Sequence, residues 1–319
     1  MKRWAVAFLM VPYAICMAAA GDYPTRPIRM IVPFSAGSAT DLLARMIGPE
    51  MTKTWGQQVV VDNRPSAGGT VAGGIVAKAP PDGHTLMLNS SGFAGAAALY
   101  DKLPYDSDRD FAGVTLVAVT PMVLTVAPKL GVKSLRDFIA LAHQKPGELN
   151  FGSSGIGSGT HYGAELFNLA AKIRAVHVPY KGTPEVATDV MSGRLDYAMA
   201  PLLPSTPLVR SGRLIALGIT SPQRLPMLPD VPTIAEAALP GFVYEGWYGI
   251  FAPARTPREI VQKLAQETSR ILKLPEIHER ITREGAIPRG STPEAFTQMV
   301  QDEIATRRRV FQAAGAKPE

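Results

Sequence analysis

The stretch Arg29-Met-Ile-Val-Pro-Phe-Ser-Ala-Gly-Ser-Ala-Thr-Asp41 decides how the rest of the chain is read. Met30 to Val32 is a short apolar, partly β-branched run of the kind that forms a buried parallel strand. Pro33 stops it. Residues 35–39 are all small, so the backbone can turn tightly and leave its N–H groups uncovered. Thr40 and Asp41 are N-cap types, and Leu42, Leu43, Met46 and Ile47 then repeat at helical spacing. The pattern is strand, small-residue loop, helix. The first N–H groups of such a helix lack helical partners and point into the loop, where a carboxylate or phosphate can be held. An ordinary βα turn carries the same pattern.

Working outward, the β-branched run at residues 59–63 predicts a second strand, and the turn at 64–69 leads into a short helix over 70–78. Pro80-Pro-Asp-Gly83 is a strong turn signal, and Thr85-Leu-Met-Leu88 predicts a third strand that ends in Asn89-Ser90-Ser91-Gly92. Strands alternating with helices imply right-handed crossovers and a parallel sheet. Ligands of such sheets bind outside the carboxyl ends of the strands, which brings the loops at 34–39 and 89–92 to one edge. Residues 111–127 form two apolar runs broken by Pro121, a candidate domain crossing. A second unit of the same kind follows: a strand from Leu149, the loop Gly152-Ser-Ser-Gly-Ile-Gly-Ser-Gly-Thr-His161, and a helix over 164–171. Strands are then expected at 176–178, 195–199 and 214–219, a helix at 184–191, and a proline-rich surface wrap at 222–240. Residues 242–251 read as a second crossing, and helices at 257–274, 275–284 and 292–313 close the chain, the last with Ser291-Thr292-Pro293-Glu294 as its start signal. The fold class is α/β in two domains, each a mostly parallel sheet flanked by helices. Domain 1 comprises residues 21–122 and 249–319, and domain 2 residues 123–248.

Lys2, Arg3, an apolar stretch and Ala18-Ala19-Ala20 make residues 1–20 an export signal, cleaved near Ala20. Ile15, not a small residue, precedes Cys16, which argues against lipidation; the mature chain would hold no cysteine, as an oxidising compartment permits. Cleavage lowers the formal charge from +6 to +4 by removing Lys2 and Arg3. The remaining basic residues are scattered, and Arg307-Arg308-Arg309 reads as the solvated face of a helix. No aromatic-interleaved basic patch supports nucleic-acid binding.

Motifs for chemistry are sparse. The loop over 152–159 lacks the lysine of a phosphate loop and the register of a dinucleotide fingerprint. A serine elbow centred on Ser154 would need glycine where Ile156 stands, although Ser154 and His161 keep a secreted hydrolase as the alternative function. The five histidines show no i,i+2 or i,i+4 pair, hence no zinc signature. His161 is placed to reach a loop ligand or to sit at a helix cap. His177 and Tyr180 could be core and rim residues, and Trp247 and Tyr248 could line a cleft or pack a hinge. The affirmative reading is complementarity: two small-residue loops, each opening a helix, facing each other across a cleft. A helix terminus favours an anion by about 0.3–1 kcal/mol, and each charge-assisted N–H bond adds roughly 1.5–3 kcal/mol. Several such bonds, less immobilisation, give an affinity near micromolar, about −8 kcal/mol.

These residues carry a family resemblance over essentially the whole mature chain. Tyr23-Pro-Thr-Arg-Pro-Ile-Arg29, Val32-Pro-Phe34, Ala39-Thr-Asp41, Val60-Val-Asp-Asn-Arg-Pro-Ser-Ala-Gly-Gly69 and Ala77-Lys-Ala-Pro-Pro-Asp-Gly83 appear in order. Leu103-Pro-Tyr105, Leu149-Asn-Phe-Gly-Ser153, His177-Val-Pro-Tyr-Lys-Gly182, Leu228-Pro-Asp-Val-Pro-Thr233 and Gly290-Ser-Thr-Pro-Glu294 continue the series. The chain resembles the Bug family of periplasmic solute-binding proteins, receptors of tripartite tricarboxylate transporters. The resemblance implies a hinge-closing, type II-like binding protein of the periplasm that grips a small mono-, di- or tricarboxylate, aromatic acids included. It implies no catalysis, no cofactor and no metal, with transporter membrane subunits as partners and a monomer as the expected state. The first binding loop maps onto Phe34, Ser35, Ala36, Gly37, Ser38, Ala39, Thr40 and Asp41. The strand-end loop maps onto Asn89, Ser90 and Ser91, and the second-domain loop onto Ser153, Ser154, Gly155, Gly157, Ser158 and His161. Tyr180, Ala200 and Trp247 complete the candidate set. Two departures stand out: Gly37-Ser38 replaces the usual glycine pair, and Ala200 stands where the family often carries an acid. The second favours a plain carboxylate over an amino acid.

Overall fold

The computed structural model describes residues 23–317. The export signal and Cys16 fall outside the described residues. Strands β1 (Ile28–Val32), β2 (Val59–Asn63) and β3 (Thr85–Ser90) alternate with helices α1 (Ala39–Trp55) and α2 (Thr70–Ala77), and α3 (Gly92–Leu99) follows. β4 (Phe111–Val126) then runs through the middle of the molecule. A second alternation gives α4 (Leu135–Gln144), β5 (Asn150–Ser153), α5 (Gly159–Ala171), β6 (Val176–Pro179), α6 (Thr183–Ser192), β7 (Tyr197–Pro201), α7 (Leu202–Arg210), β8 (Ile215–Ile219) and α8 (Ile234–Ala237). The chain returns along β9 (Glu245–Pro253) and ends with α9 (Arg258–Leu272), α10 (Pro275–Arg283), β10 (Ile287–Pro288) and α11 (Pro293–Ala314).

The strand order β2-β1-β3-β9-β4-β7-β5-β6 contains the same arrangement twice. In one lobe β1 lies between β2 and β3, all parallel; in the other β5 lies between β6 and β7, all parallel. The chain therefore leaves β1 and β5 at points where the strand order reverses, the places where open α/β sheets bind ligands. The antiparallel pair β4–β9 joins the lobes. β4 pairs with β9 from Phe111 to Pro121 and with β7 from Met122 to Val126.

Local sequence explains most elements. Ser38 enters α1 in extended conformation, Asp41 sits in its first turn, and Gly56 ends it at φ 68°, as left-handed glycine caps do. Leu43, Ala44, Met46, Ile47 and Met51 bury one face of α1 against β1, β3 and α9 in the first lobe's core, each large side chain stabilising by about 1.5–3 kcal/mol. Phe138, Phe151, Phe167 and Tyr197 build the corresponding core of the second lobe. Three expectations need correction. Pro121 does not break the apolar run: β4 continues through it, because the proline falls where the strand changes partners and one fewer donor is tolerated. The wrap over 222–240 includes α8, whose Thr233 and Glu236 form a reciprocal capping box. Arg307 is not on a solvated face but fully buried, at 0% exposure.

Candidate functional site

A cleft lies between the lobes and encloses about 370 Å³, counting the space open at its mouth. The first lobe contributes Phe34 and Ser38 from the β1–α1 loop, Ala39 and Thr40 from the first turn of α1, and Ser90 and Ser91 at the end of β3, while Trp247 and Tyr248 come from the crossing strand β9. Ser154 enters from the β5–α5 loop, Gly159 and Thr160 from the first turn of α5, and Thr183 from the first turn of α6. Met122, Pro201 and Gly246 form the floor, where β4, β7 and β9 meet.

The lining holds no Asp, Glu, Lys, Arg or His. Its polarity comes from hydroxyls and from the starts of α1, α5 and α6. The N–H groups of Ala39 and Thr40, and of Gly159 and Thr160, belong to first turns and have no helical carbonyl to bond. Ser38 makes no side-chain cap, and its Oγ lies 3.2 Å from Thr40 Oγ1. Ser158 does cap α5: its Oγ accepts from His161 N–H at 3.1 Å. Thr183 Oγ1 is sealed from solvent and has no hydrogen-bond partner among the described residues. Burial raises the Tyr248 phenol far above its ordinary pKa, so that wall stays neutral. Such a cavity can hold an anion through dipoles without a counter-charge, as helix termini do elsewhere. Among the described residues no cluster of three His, Cys, Asp or Glu side chains stands within reach of a metal ion.

Eight of the sequence-selected residues line the cleft: Phe34, Ser38, Ala39, Thr40, Ser90, Ser91, Ser154 and Trp247. The others stand elsewhere, each with its own partner or place. Asp41 turns back, accepting from Gly37 N–H at 2.9 Å and Arg45 Nε–H at 2.9 Å. Burial alone would raise its pKa, but those bonds outweigh it and lower it. Ser35 donates its N–H across the lobes to the Lys181 carbonyl at 3.2 Å, and Ala36 is exposed. Asn89 Oδ1 accepts from the Ser90 N–H. Ser153 Oγ meets His177 Nε2 at 2.6 Å, and Tyr180 donates to Asp189. Gly155 and Gly157 shape the loop at φ 111° and 76°, and Ala200 lines a separate space beyond Ser154. His161 is buried under the loop, its ring stacked on His177 with centroids 3.9 Å apart. Its Nδ1 accepts from Gly157 N–H, and Nε2 lies 3.6 Å from Glu165.

Sequence reading overlooked Thr183, Met122, Pro201 and Gly246 as lining residues; Gly159 and Thr160 lay in the second loop without being singled out, and Tyr248 was noted only as a residue that could line a cleft. Gly182-Thr183-Pro184-Glu185 was a legible helix start, with proline in the first turn. The floor residues had no local signal, since only the sheet's curvature brings three strands to one point.

Behind the cleft a buried network ties the wall together. Trp247 Nε1 donates to Glu303, which pairs with Arg307 at 2.7 Å. Arg307 Nη2 donates to Tyr244 Oη at 3.1 Å, its guanidinium lies 4.1 Å over the Tyr162 ring, and Tyr244 donates to the Gly159 carbonyl. Burial opposes the charge on Arg307, but Tyr244 and Glu303 more than offset it and raise its pKa.

Paired α/β lobes with a dipole-lined cleft define a solute-binding receptor. Residues 43–316 match the family model described as tripartite tricarboxylate transporter family receptor, and the chain belongs to that family. A Rhodopseudomonas palustris protein solved with adipate superposes at TM-score 0.89 with 36% identity, covering 93% of this chain and 100% of that one. MatC of the same organism, solved with bound malate, gives 0.86 and 36% over 90% and 99% of the two chains. The periplasmic binding protein BugD gives 0.88 and 31% over 93% and 100%. The resemblance to the Bug family is thereby borne out, and the relatives are solute-binding receptors.

Proposed function

We propose that this protein is an exported receptor that takes a small organic acid into the interlobe cleft and closes on it for delivery to a transporter's membrane subunits. One observation carries the reading: a cleft bounded by the starts of α1 and α5, with hydroxyls and no charged side chain on its wall. Two carboxylates, or one carboxylate and a second oxygen, would take the N–H groups of Ala39 and Thr40 on one side and of Gly159 and Thr160 on the other. Ser38, Thr40, Ser91 and Ser154 supply hydroxyls. Relatives solved with adipate and malate support a short dicarboxylate as the ligand class.

The lobes that move are residues 21–122 with 249–319, and 123–248, after removal of residues 1–20. Closing contacts sit on both sides of the cleft: Ser35 N–H to Lys181 O, and Gly157 against Gly95. The hydrolase alternative finds little support in the geometry. Ser154 Oγ is engaged with Thr160 at 3.0 Å, and His161 Nδ1 is occupied by a backbone N–H. A serine nucleophile needs its histidine within hydrogen-bond reach.

A thermal-shift panel of mono-, di-, tri- and aromatic carboxylates tests the function. A true ligand at about 100 times its Kd adds roughly 2.7 kcal/mol of stability. A panel without stabilisation, or ester turnover lost on Ser154→Ala, would sink the receptor reading.

A further inference from the structure

Beyond Ser154, Thr160 and Thr183 lies a second space, which these residues share with the cleft. Its other walls include Val186, Ala198, Ala200 and Leu214, packed between β7 and α6, and the backbone of Gly152. The hydroxyls that face it are already engaged. Thr125 Oγ1 donates to the Ala198 carbonyl, Ser153 Oγ meets His177, and Ser154 and Thr160 bond each other. Thr183 Oγ1, at the boundary of the two spaces, is the exception: it is buried without a partner among the described residues. An ordered water requires two to four polar partners, and small apolar-walled spaces stay dry and accept apolar groups. No acidic side chain faces either space, so an ammonium there would be buried without compensation.

We propose that this annex is a specificity subsite: it receives a small apolar branch, methyl-sized, next to the carboxylate held at the start of α5, while Thr183 bonds an oxygen of that same acid. The inference rests on the receptor reading above and narrows its ligand class to branched acids without an amino group. Ala198 and Ala200 create the space because they are the smallest side chains a strand can offer. A larger residue at position 200 would fill it.

Calorimetry on the mature protein tests this with matched pairs that differ by one methyl group beside a carboxylate: succinate and methylsuccinate, malate and citramalate, glutarate and 2-methylglutarate, butyrate and 2-methylbutyrate. One extra carbon in a fitting apolar space is worth about tenfold or more in affinity. The expected result is a branched acid at least tenfold tighter than its unbranched partner, with aspartate and glutamate below detection. Ala200→Val should reverse the order within the pair. Binding of unbranched acids with equal or greater affinity in every pair that binds, or tight binding of aspartate, overturns the annex and leaves the receptor reading standing. Should none of the acids bind, the receptor reading falls and the annex with it. The wild-type comparison decides the matter even if the variant does not fold.

Discussion

His177 lies face to face with His161, the rings 6° from parallel, and the Phe151 ring packs beside both, its centroid 4.9 Å from that of His177. A proton on this imidazole would face burial and a second ring of the same kind. Burial first, and then His161, push its pKa down from 6.5 to about 3. The neutral ring is what the fold requires. Because the folded pKa lies below the unfolded one, the contribution is complete above pH 6.5 and is lost as pH falls from there toward 3. A shift of this size corresponds to roughly 5 kcal/mol at full extent. Thermal melts of wild type should therefore fall in Tm between pH 6.5 and 4 more steeply than those of His177→Gln; parallel curves would deny His177 this part. Carboxylates such as Asp41 titrate in both proteins and cancel in the comparison. His161 looked like a ligand residue because it follows a glycine-rich loop at a helix start. Its partners, one 16 residues further along the chain, were out of sight in sequence. Ser38 is the contrasting case, legible from the loop alone and placed at the cleft wall with no capping duty. Ser38→Ala should weaken ligand binding about fivefold, near 1 kcal/mol for one hydrogen bond, measured by calorimetry, with little change in Tm.

Among the elements, α11 does more than its sequence suggests. Thr292 caps it, Pro293 starts it, and Phe296 and Val300 bury into the first lobe's core. Phe311 enters the core of the second lobe, so one helix spans both. Arg307 makes the same crossing in polar terms, through Glu303 to Trp247 and through Tyr244 to the first turn of α5. Replacing it by methionine strands Glu303 and empties a buried cationic site, a change that costs about 3 kcal/mol. Arg307→Met should lower Tm by about 5 °C at that cost. It should also weaken ligand binding, because both cleft walls lose their tie; an unaltered Tm by circular dichroism would contradict the role. Sequence periodicity placed the helix well, yet it put Arg307 outside with its neighbours Arg308 and Arg309. A basic triplet carries no mark of which member meets a buried acid. α3 was also overlooked: Gly92-Phe-Ala-Gly-Ala-Ala-Ala-Leu99 has almost no polar face, and a wholly buried helix shows no amphipathic pattern.

At the scale of the whole molecule, the closure proposed above would depend on two backbones meeting without side chains between them. A Cβ on Gly95 of α3 would fall 1.9 Å from the Gly157 carbonyl oxygen of the other lobe. Gly95→Val should hold the lobes apart. Small-angle scattering should then show no ligand-induced contraction, and affinity should drop a hundredfold or more, about 3 kcal/mol. Retained contraction in the variant would show that closure follows another path. The order of the sheet explains why both lobes present the same kind of loop. Each repeats a central strand, an outer neighbour and an inner neighbour, and each opens its loop where the order reverses.

By itself, the sequence determined the parts whose physics is local. Strand, small-residue loop and capped helix were readable at 29–47 and again at 149–171, because turn geometry, N-caps and helical spacing act over a few residues. The succession of motifs along the chain identified the family, whose fold the structure repeats. Tertiary structure alone decided which residues face the cleft, since that choice depends on contacts between segments far apart in the chain. It sent Asp41 and His161 inward, brought Thr183 and the floor of β4, β7 and β9 to the site, and buried Arg307. The opening stretch supplies one wall of the cleft, and the fold sets which of its side chains remain free to meet a ligand.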